Sequence, residues 1–299
     1  MIPRTIVLEH VSKSFGKQVA VHDVHLALAA GECIGLVGHN GAGKTTLIKL
    51  MLGLLRPDSG HISVLGADPA GHQAAQTRRV IGYIPENVAL YPSLTGGETL
   101  AFYARLKGIA SVVAQPLLAR VGLSVEATRQ PVRTYSKGMR QRLALAQAML
   151  GAPRVLLLDE PTSGLDPALR QSFYEILKEL RDRGATVLLS SHQLAELEGE
   201  VDRVVVMNQG RMMADGDLQH LRRLAGIMPR VRIRLASTNA SPPVGWQAVT
   251  DGMWEMPSAE EEIADRLRAL PVNVAMVEIL RPTLDDIYAA FLRRPGDVA

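Results

Sequence analysis

The chain has 299 residues, of which 47 % are hydrophobic, 21 % charged and 4 % aromatic, and its formal net charge is +3. Because one domain typically takes roughly 100–200 residues, this length predicts two domains, and the composition excludes a disordered chain. So small a charge, without a basic cluster, argues against a nucleic-acid-binding protein. The few aromatic residues argue against a base-stacking surface.

The distribution of polar residues predicts a cytoplasmic protein. Cys33 is the only cysteine, so no internal disulfide can form, which is typical of a reducing compartment. Arg4, Glu9 and His10 lie where a secretory signal would be apolar. The most apolar stretch, residues 143–158, is shorter than the ~20 residues that cross a bilayer. We therefore expect a cytoplasmic chain, either free or docked on a membrane-bound partner.

Hydrophobic periodicity predicts an α/β domain over residues 4–216. Alternating runs at 4–11 and 19–28 predict half-buried strands, and Thr95 with Glu98 forms a capping box at a helix start. The further predicted elements are a strand over 32–38, a helix over 45–55, a helical region over about 94–152, a strand over 154–160, a helix over 167–183, a strand over 185–191 and a hairpin over 202–212. Strands that alternate with helices predict a mainly parallel sheet.

The segment over 217–299 has shorter elements and predicts a small α+β appendage. Two capping pairs predict the starts of helices in it, namely Ser258 with Glu261 and Thr283 with Asp286. The appendage has two possible roles. It either packs or dimerises, or it binds a ligand and regulates the first domain.

Residues 38–45 read GHNGAGKT and match the pattern G-x-x-x-x-G-K-[ST] in full. Glycines in such a loop let backbone N–H groups surround a phosphate chain, and the next helix directs its positive end toward it. Lys44 is expected to reach the β and γ phosphates, and the Thr45 hydroxyl to bind Mg²⁺. A chance match in a glycine-bearing loop is the alternative. The predicted nucleotide contacts in the loop are Gly38, His39, Asn40, Gly41, Ala42, Gly43, Lys44, Thr45 and Thr46.

The apolar run VLLLDE places Asp159 at the carboxyl end of a strand, where sites of open α/β sheets lie. An acidic side chain there can hold Mg²⁺, and Glu160 can polarise the water that attacks the γ phosphate. The alternative is that both carboxylates cap the strand or the next turn. A buried carboxylate pair is costly without a metal or hydrogen-bond donors, which favours the catalytic interpretation.

With both motifs, and YSKGM at 135–139 between them, the chain resembles the nucleotide-binding subunit of ABC transporters over residues 4–216. The resemblance implies a P-loop NTPase fold of the ABC cassette type. Such a cassette has a mainly parallel sheet, an antiparallel β part and a helical subdomain, here at about 87–152. It also implies ATP and Mg²⁺ as ligands, and ATP hydrolysis coupled to transport.

The family order assigns roles to four more residues. Phe15 matches the aromatic residue that stacks on adenine, and His192 matches the histidine that senses the γ phosphate. Ser136 and Gly138 match the signature residues that contact ATP across a dimer. Taken singly, Phe15 could be a core residue, His192 a structural histidine and Ser136 a helix N-cap.

Two departures from the family pattern indicate a particular branch of the family. Lys137 and Met139 replace a glycine and a glutamine of the signature, and Glu86 stands where a glutamine usually meets Mg²⁺ and the membrane subunit. Both departures resemble ABC-2 type exporters. The combination of GHNGAGKTT, IGYIPEN and TYSKGMRQRL is similar to the ATPases of Nos transport systems, which serve assembly of the copper centres of nitrous oxide reductase.

The resemblance implies a homodimer of cassettes docked on a multi-span permease at the inner face of the cell membrane, with a periplasmic partner in a Nos system. The alternatives are the ATPase of another ABC-2 exporter, for a drug, lipid or polysaccharide, and a soluble ABC ATPase acting on ribosomes or DNA. We expect no copper site in this chain: His22 and His25 have no obvious partner ligand, and Cys33 lies in a buried strand. Met212, Met213, Met253 and Met256 are expected to be core residues.

Overall fold

The computed structural model describes residues 3–192, 194–236, 244–250, 252–270 and 274–293. The chain divides into two compact units, the first ending at Asp215 and the second beginning at Gly216. No helix among the described residues is long and apolar enough to cross a membrane.

The elements of the first unit alternate between strands and helices, as the sequence predicts. In chain order they are β1 (Arg4–Phe15), β2 (Gln18–Ala29), β3 (Cys33–Val37), α1 (Lys44–Met51), β4 (Ser59–Val64), α2 (Ala74–Arg79), β5 (Ile81–Ile84), α3 (Gly96–Lys107), α4 (Ser111–Arg120), α5 (Val125–Thr128), α6 (Lys137–Ala148), β6 (Val155–Leu158), α7 (Pro167–Asp182), β7 (Thr186–Ser191), β8 (Arg203–Asn208) and β9 (Arg211–Gly216).

The described residues of the first unit form two sheets. An antiparallel sheet has the order β2-β1-β4, and a six-stranded sheet has the order β5-β6-β7-β3-β8-β9. Strands β5, β6, β7, β3 and β8 pair in parallel, which confirms the mainly parallel sheet. Every residue of β3, β6 and β7 is buried, as expected for central strands covered on both faces.

The strand order determines where the functional loops meet. Strand β7 lies between β6 and β3, and all three run in the same direction. Their carboxyl ends therefore lie at one edge of the sheet, where ligands of open α/β sheets bind. The loops that leave this edge begin at Gly38, Asp159 and His192.

The helical region comprises α3 to α6. Thr95 and Glu98 form the predicted capping box, with Thr95 accepting from the Glu98 N–H and the Glu98 carboxylate accepting from the Thr95 N–H. Ser136 is the N-cap of α6 and accepts from the Met139 N–H at 3.2 Å. After it, α7 buries Phe173, Ile176, Leu177 and Leu180 among its core residues, the spacing of an amphipathic helix.

The described residues of the second unit form an antiparallel sheet with three α-helices. Its elements are α8 (Leu218–Ala225), β10 (Arg230–Leu235), β11 (Gln247–Thr250), β12 (Met253–Pro257), α9 (Ile263–Arg268), β13 (Val274–Leu280) and α10 (Leu284–Arg293). The sheet order is β11-β12-β10-β13. Its core is formed by Val231, Ile233, Leu235 and Ile263.

Of the two capping pairs predicted in this unit, one is correct. Thr283 and Asp286 bond reciprocally at the start of α10. The pair of Ser258 with Glu261 is wrong, because the helical turn begins at residue 260 with Ala259 as its N-cap. The Ser258 N–H is bonded to the Pro229 carbonyl, and its side chain is buried.

Candidate nucleotide site

The loop between β3 and α1 has the backbone that a phosphate-binding loop requires. Gly41 and Gly43 have φ of 86° and 104°, in the left-handed region that favours glycine. A Cβ at Gly43 would lie 2.3 Å from the Ala20 carbonyl oxygen, and one at Gly38 would lie 2.6 Å from that of Met207. The close approach of neighbouring backbone therefore requires glycine at positions 38 and 43.

Lys44 is the first residue of α1, and its side chain turns back over the loop. Nζ donates to the Gly38 carbonyl at 2.5 Å and to that of His39 at 3.4 Å. It also lies 3.5 Å from Oε1 of Glu160, and both side chains are at most 10 % exposed. The loop following β3 and the loop following β6 are therefore joined by a buried ion pair.

Asp159 is 1 % exposed and has one unused oxygen. Its Oδ1 accepts from the Ser190 hydroxyl at 2.7 Å. Its Oδ2 has no hydrogen-bond partner among the described residues. A buried carboxylate oxygen without a partner is costly unless it binds a cation or a donor. The negative charge also acts on Tyr83, since burial, with a smaller contribution from Asp159, raises the pKa of that phenol to about 12.

Glu160 is held on three sides. Its Oε2 lies 2.6 Å from Nδ1 of His192, and Oε1 faces Lys44. Its backbone N–H donates to the Ser190 hydroxyl at 2.9 Å. Glu160 has φ of 50°, in the left-handed region that non-glycine residues rarely adopt. Such conformations cluster at functional sites and persist only when the surroundings enforce them.

A cleft of about 400 Å³ collects most of the predicted nucleotide contacts. Its lining includes the loop residues His39 to Thr46 together with Phe15, Gln18, Ala20, Glu86, Asp159 and Glu160. Phe15 is 49 % exposed, so the alternative that it is a core residue is wrong. Glu86 is exposed at the same cleft.

Four predicted residues lie outside this lining. Of the described residues that line the cleft, none is Gly38, Ser136, Gly138 or His192. Gly38 contacts the site through its carbonyl, which accepts from Lys44. His192 reaches the site through Glu160, whereas Ser136 is exposed at the start of α6. Gly138 packs on α7, where a Cβ would lie 3.2 Å from Leu169 Cδ1.

Ser190 is a site residue that sequence reasoning missed. Its hydroxyl bonds to both acidic residues after β6, and the residue is completely buried in β7. The available signal was a serine pair at the carboxyl end of an otherwise apolar strand. Its meaning depends on β7 lying beside β6, which the local pattern does not reveal.

A phosphate-binding loop, a buried acidic pair and a parallel sheet define a P-loop nucleotide hydrolase. A family model described as ABC transporter matches residues 21–163. A linearmycin resistance ATP-binding protein from Bacillus subtilis (strain 168) is 38 % identical over 212 residues, 70 % of this chain and 68 % of that protein. A Nod factor export ATP-binding protein I from Burkholderia lata is 40 % identical over 215 residues, 71 % and 70 % of the two chains.

Solved structures agree with these matches. One described as the ATP-binding subunit of an ABC transporter has a TM-score of 0.69 and 34 % identity, covering 74 % of this chain and 93 % of that chain. A dimeric ABC transporter cassette shares the fold with a TM-score of 0.66 at 24 % identity. The chain belongs to the ABC transporter ATP-binding family, and its first unit is an ABC cassette ATPase.

Proposed function

We propose that the chain hydrolyses ATP to drive a membrane permease of the ABC-2 exporter type, from the cytoplasmic face of the membrane. The observation that carries this proposal is the meeting of three loops at one sheet edge, with Lys44 and His192 both on the carboxylate of Glu160. That arrangement suits phosphoryl transfer to water, in which positioning and charge stabilisation supply most of the catalysis.

Each residue of this edge has a role in the proposed reaction. The loop N–H groups and the positive end of α1 bind the phosphates. Glu160 orients the attacking water and takes up its proton. Lys44 and His192 stabilise charge on the transferred group, and Phe15 stacks on the adenine.

Mg²⁺ fits the residues present at the site. Oδ2 of Asp159 is buried and has no hydrogen-bond partner in the part of the chain that the structure describes, and carboxylate and hydroxyl oxygens are the ligands that Mg²⁺ prefers. Thr45 and Asp159 would hold the ion, with Glu86 as a further ligand from the same cleft. When bound, Mg²⁺ neutralises charge on the β and γ phosphates.

A second copy of the chain completes the site. Ser136 and Gly138 lie outside the lining of their own cleft, so in our proposal they close the ATP held by the partner, at an isologous interface. Closure of the dimer brings Ser136 and Gly138 of the second copy to the γ phosphate. Hydrolysis removes this bridging phosphate, and the dimer opens. The helical region at about 87–152 and Glu86 then pass this movement to the permease.

The cargo that we propose follows from the three motif segments similar to Nos-type ATPases. The transporter then serves maturation of the copper site of nitrous oxide reductase, handles copper or a sulfur species, and works with a periplasmic partner. Relatives named for linearmycin resistance and Nod factor export support the second candidate, another ABC-2 exporter with a drug, lipid or polysaccharide cargo.

Purification of the tagged chain from native membranes, with mass spectrometry of what accompanies it, tests these proposals. A several-span membrane protein together with a periplasmic protein of nitrous oxide reductase assembly is the expected result. A different permease would retain the transport mechanism and exclude the copper context. Ribosomal proteins, or no membrane protein, would contradict the transporter proposal.

The second unit offers a ligand-binding role of its own. A cavity of about 620 Å³ there is lined by charged side chains that include Arg222, Arg223, Arg281, Glu260 and Glu261. A chain truncated after the first unit distinguishes this role from packing. Unchanged ATPase activity and dimerisation with a lost effector response would support a sensor, whereas lost dimerisation would support a packing role.

A further inference from the structure

Three metal-ligating side chains meet on the antiparallel sheet, on strands β1 and β2. Nδ1 of His10 lies 2.9 Å from Oδ1 of Asp23 and 2.7 Å from Nε2 of His25. Nε2 of His25 lies 3.9 Å from the same Asp23 oxygen. These three atoms all lie within 4.8 Å of one another. The expectation that His25 has no partner ligand is therefore wrong.

Two irregularities in the β1–β2 ladder produce this cluster. The ladder pairs Leu8 with Leu26 and then Val11 with Val24, so two residues of β1 oppose His25 alone. Such a bulge redirects the side chains around it. Beyond Val24 a second shift follows, and the Asp23 N–H donates to the Ser12 hydroxyl at 2.9 Å.

Both bulge residues adopt an unusual backbone conformation. His10 has φ of 51° and Asp23 has φ of 48°, in the left-handed region where His and Asp occur more often than most non-glycine residues. Left-handed non-glycine residues cluster at ligand sites. Without the bulge, side chains would alternate strictly between the two faces of the sheet along each strand. His10 and His25 would then lie on opposite faces and could not meet.

Hydrogen bonds alone do not account for the short contacts in this cluster. Nδ1 of His10 makes both short contacts, and a ring nitrogen carries either one proton or one lone pair. If Nδ1 is protonated, its single hydrogen is shared between Asp23 and His25. If it is not, its lone pair faces the Asp23 carboxylate. No protonation state gives both contacts a linear hydrogen bond of its own, whereas a cation accepts all three lone pairs.

We propose that His10 Nδ1, His25 Nε2 and Asp23 Oδ1 form a binding site for a divalent transition metal of the Zn²⁺ or Cu²⁺ class. Two imidazoles and a carboxylate suit these ions, whereas Mg²⁺ prefers oxygen ligands. Three protein ligands leave at least one coordination position to water or to a side chain of a partner.

The charge and the position of the cluster support a site separate from the nucleotide. The Asp23 carboxylate brings negative charge next to the two imidazole rings. The three side chains are exposed and accessible to metal. Of the described residues that line the nucleotide cleft, none belongs to the cluster. The proposal is therefore independent of the transported cargo.

Titration of the full-length, chelator-treated chain with Zn²⁺ and with Cu²⁺ tests this site. Excess Mg²⁺ is present to occupy oxygen-ligand sites. The variants are His10→Gln and His25→Gln, with His61→Gln on the neighbouring β4 as the matched control. Each cluster variant should bind one equivalent fewer than wild type, or bind it at least about tenfold more weakly, since even an outer-shell partner is worth roughly 10–100-fold.

Two further readouts separate a built site from general surface binding. The Cu²⁺ electron paramagnetic resonance spectrum should show coupling to two imidazole nitrogens, reduced to one in either variant. Zn²⁺ should raise the Tm of wild type and of His61→Gln, by mass action on the folded state. Equal stoichiometry and affinity in all four proteins, or binding only at millimolar metal, would overturn the proposal. Circular dichroism verifies that the variants are folded.

Discussion

Nδ1 of His192 lies 2.6 Å from Oε2 of Glu160, so the side chain that follows β7 fixes the carboxylate that follows β6. The other oxygen of Glu160 faces Nζ of Lys44 at 3.5 Å. Both oxygens are thus directed by cations or donors from the neighbouring loops. A carboxylate held in this way is already oriented to accept a proton from water, which is the geometric requirement for a general base.

Replacement of Glu160 by glutamine should separate ATP binding from hydrolysis. A glutamine amide retains the shape of the side chain, but only its oxygen can accept a hydrogen bond, and it cannot take up a proton. Because a general base typically contributes about 10²–10⁴-fold, we expect the kcat of Glu160→Gln for phosphate release to fall by about that factor. ATP affinity should be retained, and ATP-bound dimers should accumulate in size-exclusion chromatography.

Glu175→Gln is the matched control for this variant. Glu175 lies on the exposed face of α7, where it accepts from Gln171 at 3.2 Å. The Glu175→Gln variant should hydrolyse ATP at the wild-type rate. Turnover of Glu160→Gln within a few-fold of wild type would contradict the role of Glu160, whatever the state of the dimer.

Ser190 should act as a positioning residue for both acidic side chains. In Ser190→Ala, Oδ1 of Asp159 loses its 2.7 Å bond and the Glu160 N–H loses its acceptor. We expect turnover to fall by about tenfold, as for an outer-shell partner of a metal ligand. The Mg²⁺ concentration for half-maximal activity should rise in parallel.

Nucleotide binding measured in chelator separates this effect from a general loss of structure. It should be unchanged in Ser190→Ala, since the phosphate loop keeps its own contacts. Ser172→Ala, on the surface of α7, should behave as wild type in both assays. A Mg²⁺ dependence identical to wild type would show that Asp159 does not need the Ser190 hydroxyl.

The parts of the site that sequence predicts are those encoded locally. GHNGAGKT is contiguous, and Asp159 follows directly on an apolar run, so spacing alone gives both the loop and the strand end. Ser190 depends on which strands are neighbours. The contacts of His10 and His25 depend on a bulge, because one extra residue changes the face on which each following side chain lies. Neither relationship is visible in hydrophobic periodicity.

Lys107 makes the stability of the first unit depend on pH in alkaline solution. Its Nζ donates to the carbonyl oxygens of Ile81 and Leu150 at 3.1 and 3.0 Å, which joins the end of α3 to the sheet. Burial lowers the pKa of this lysine to about 8, from an ordinary value of 10.5. Between these values the unfolded chain binds a proton that the folded chain has released. Rising pH therefore favours the folded state in this window.

Denaturant unfolding from pH 7 to 10 measures this effect. The contribution of Lys107 to the free energy of unfolding should be constant below about pH 8 and should rise above it. Lys107→Met should lack that rise, whereas Lys178→Met on the exposed face of α7 should keep it. Burial raises the pKa of Cys33 from 9.0 to about 12, so this thiol acts in the opposite direction above about pH 9, and Tyr83 does so above about pH 10. Both groups are present in wild type and in the two variants, so the difference between their profiles isolates Lys107. Identical pH profiles for wild type and Lys107→Met would contradict the prediction.

Phe15 should determine affinity for the base without affecting the chemical step. It ends β1, lines the cleft and is 49 % exposed, so little core packing is lost on its removal. Replacing a base-stacking aromatic residue by alanine costs about 1–3 kcal/mol of binding. We therefore expect Phe15→Ala to raise the KM for ATP by about tenfold or more with kcat nearly unchanged. Phe15→Tyr retains the ring and should match wild type, as should the Tm of both variants. A fall in kcat at an unchanged KM would instead place Phe15 in the hydrolytic step and contradict the stacking role.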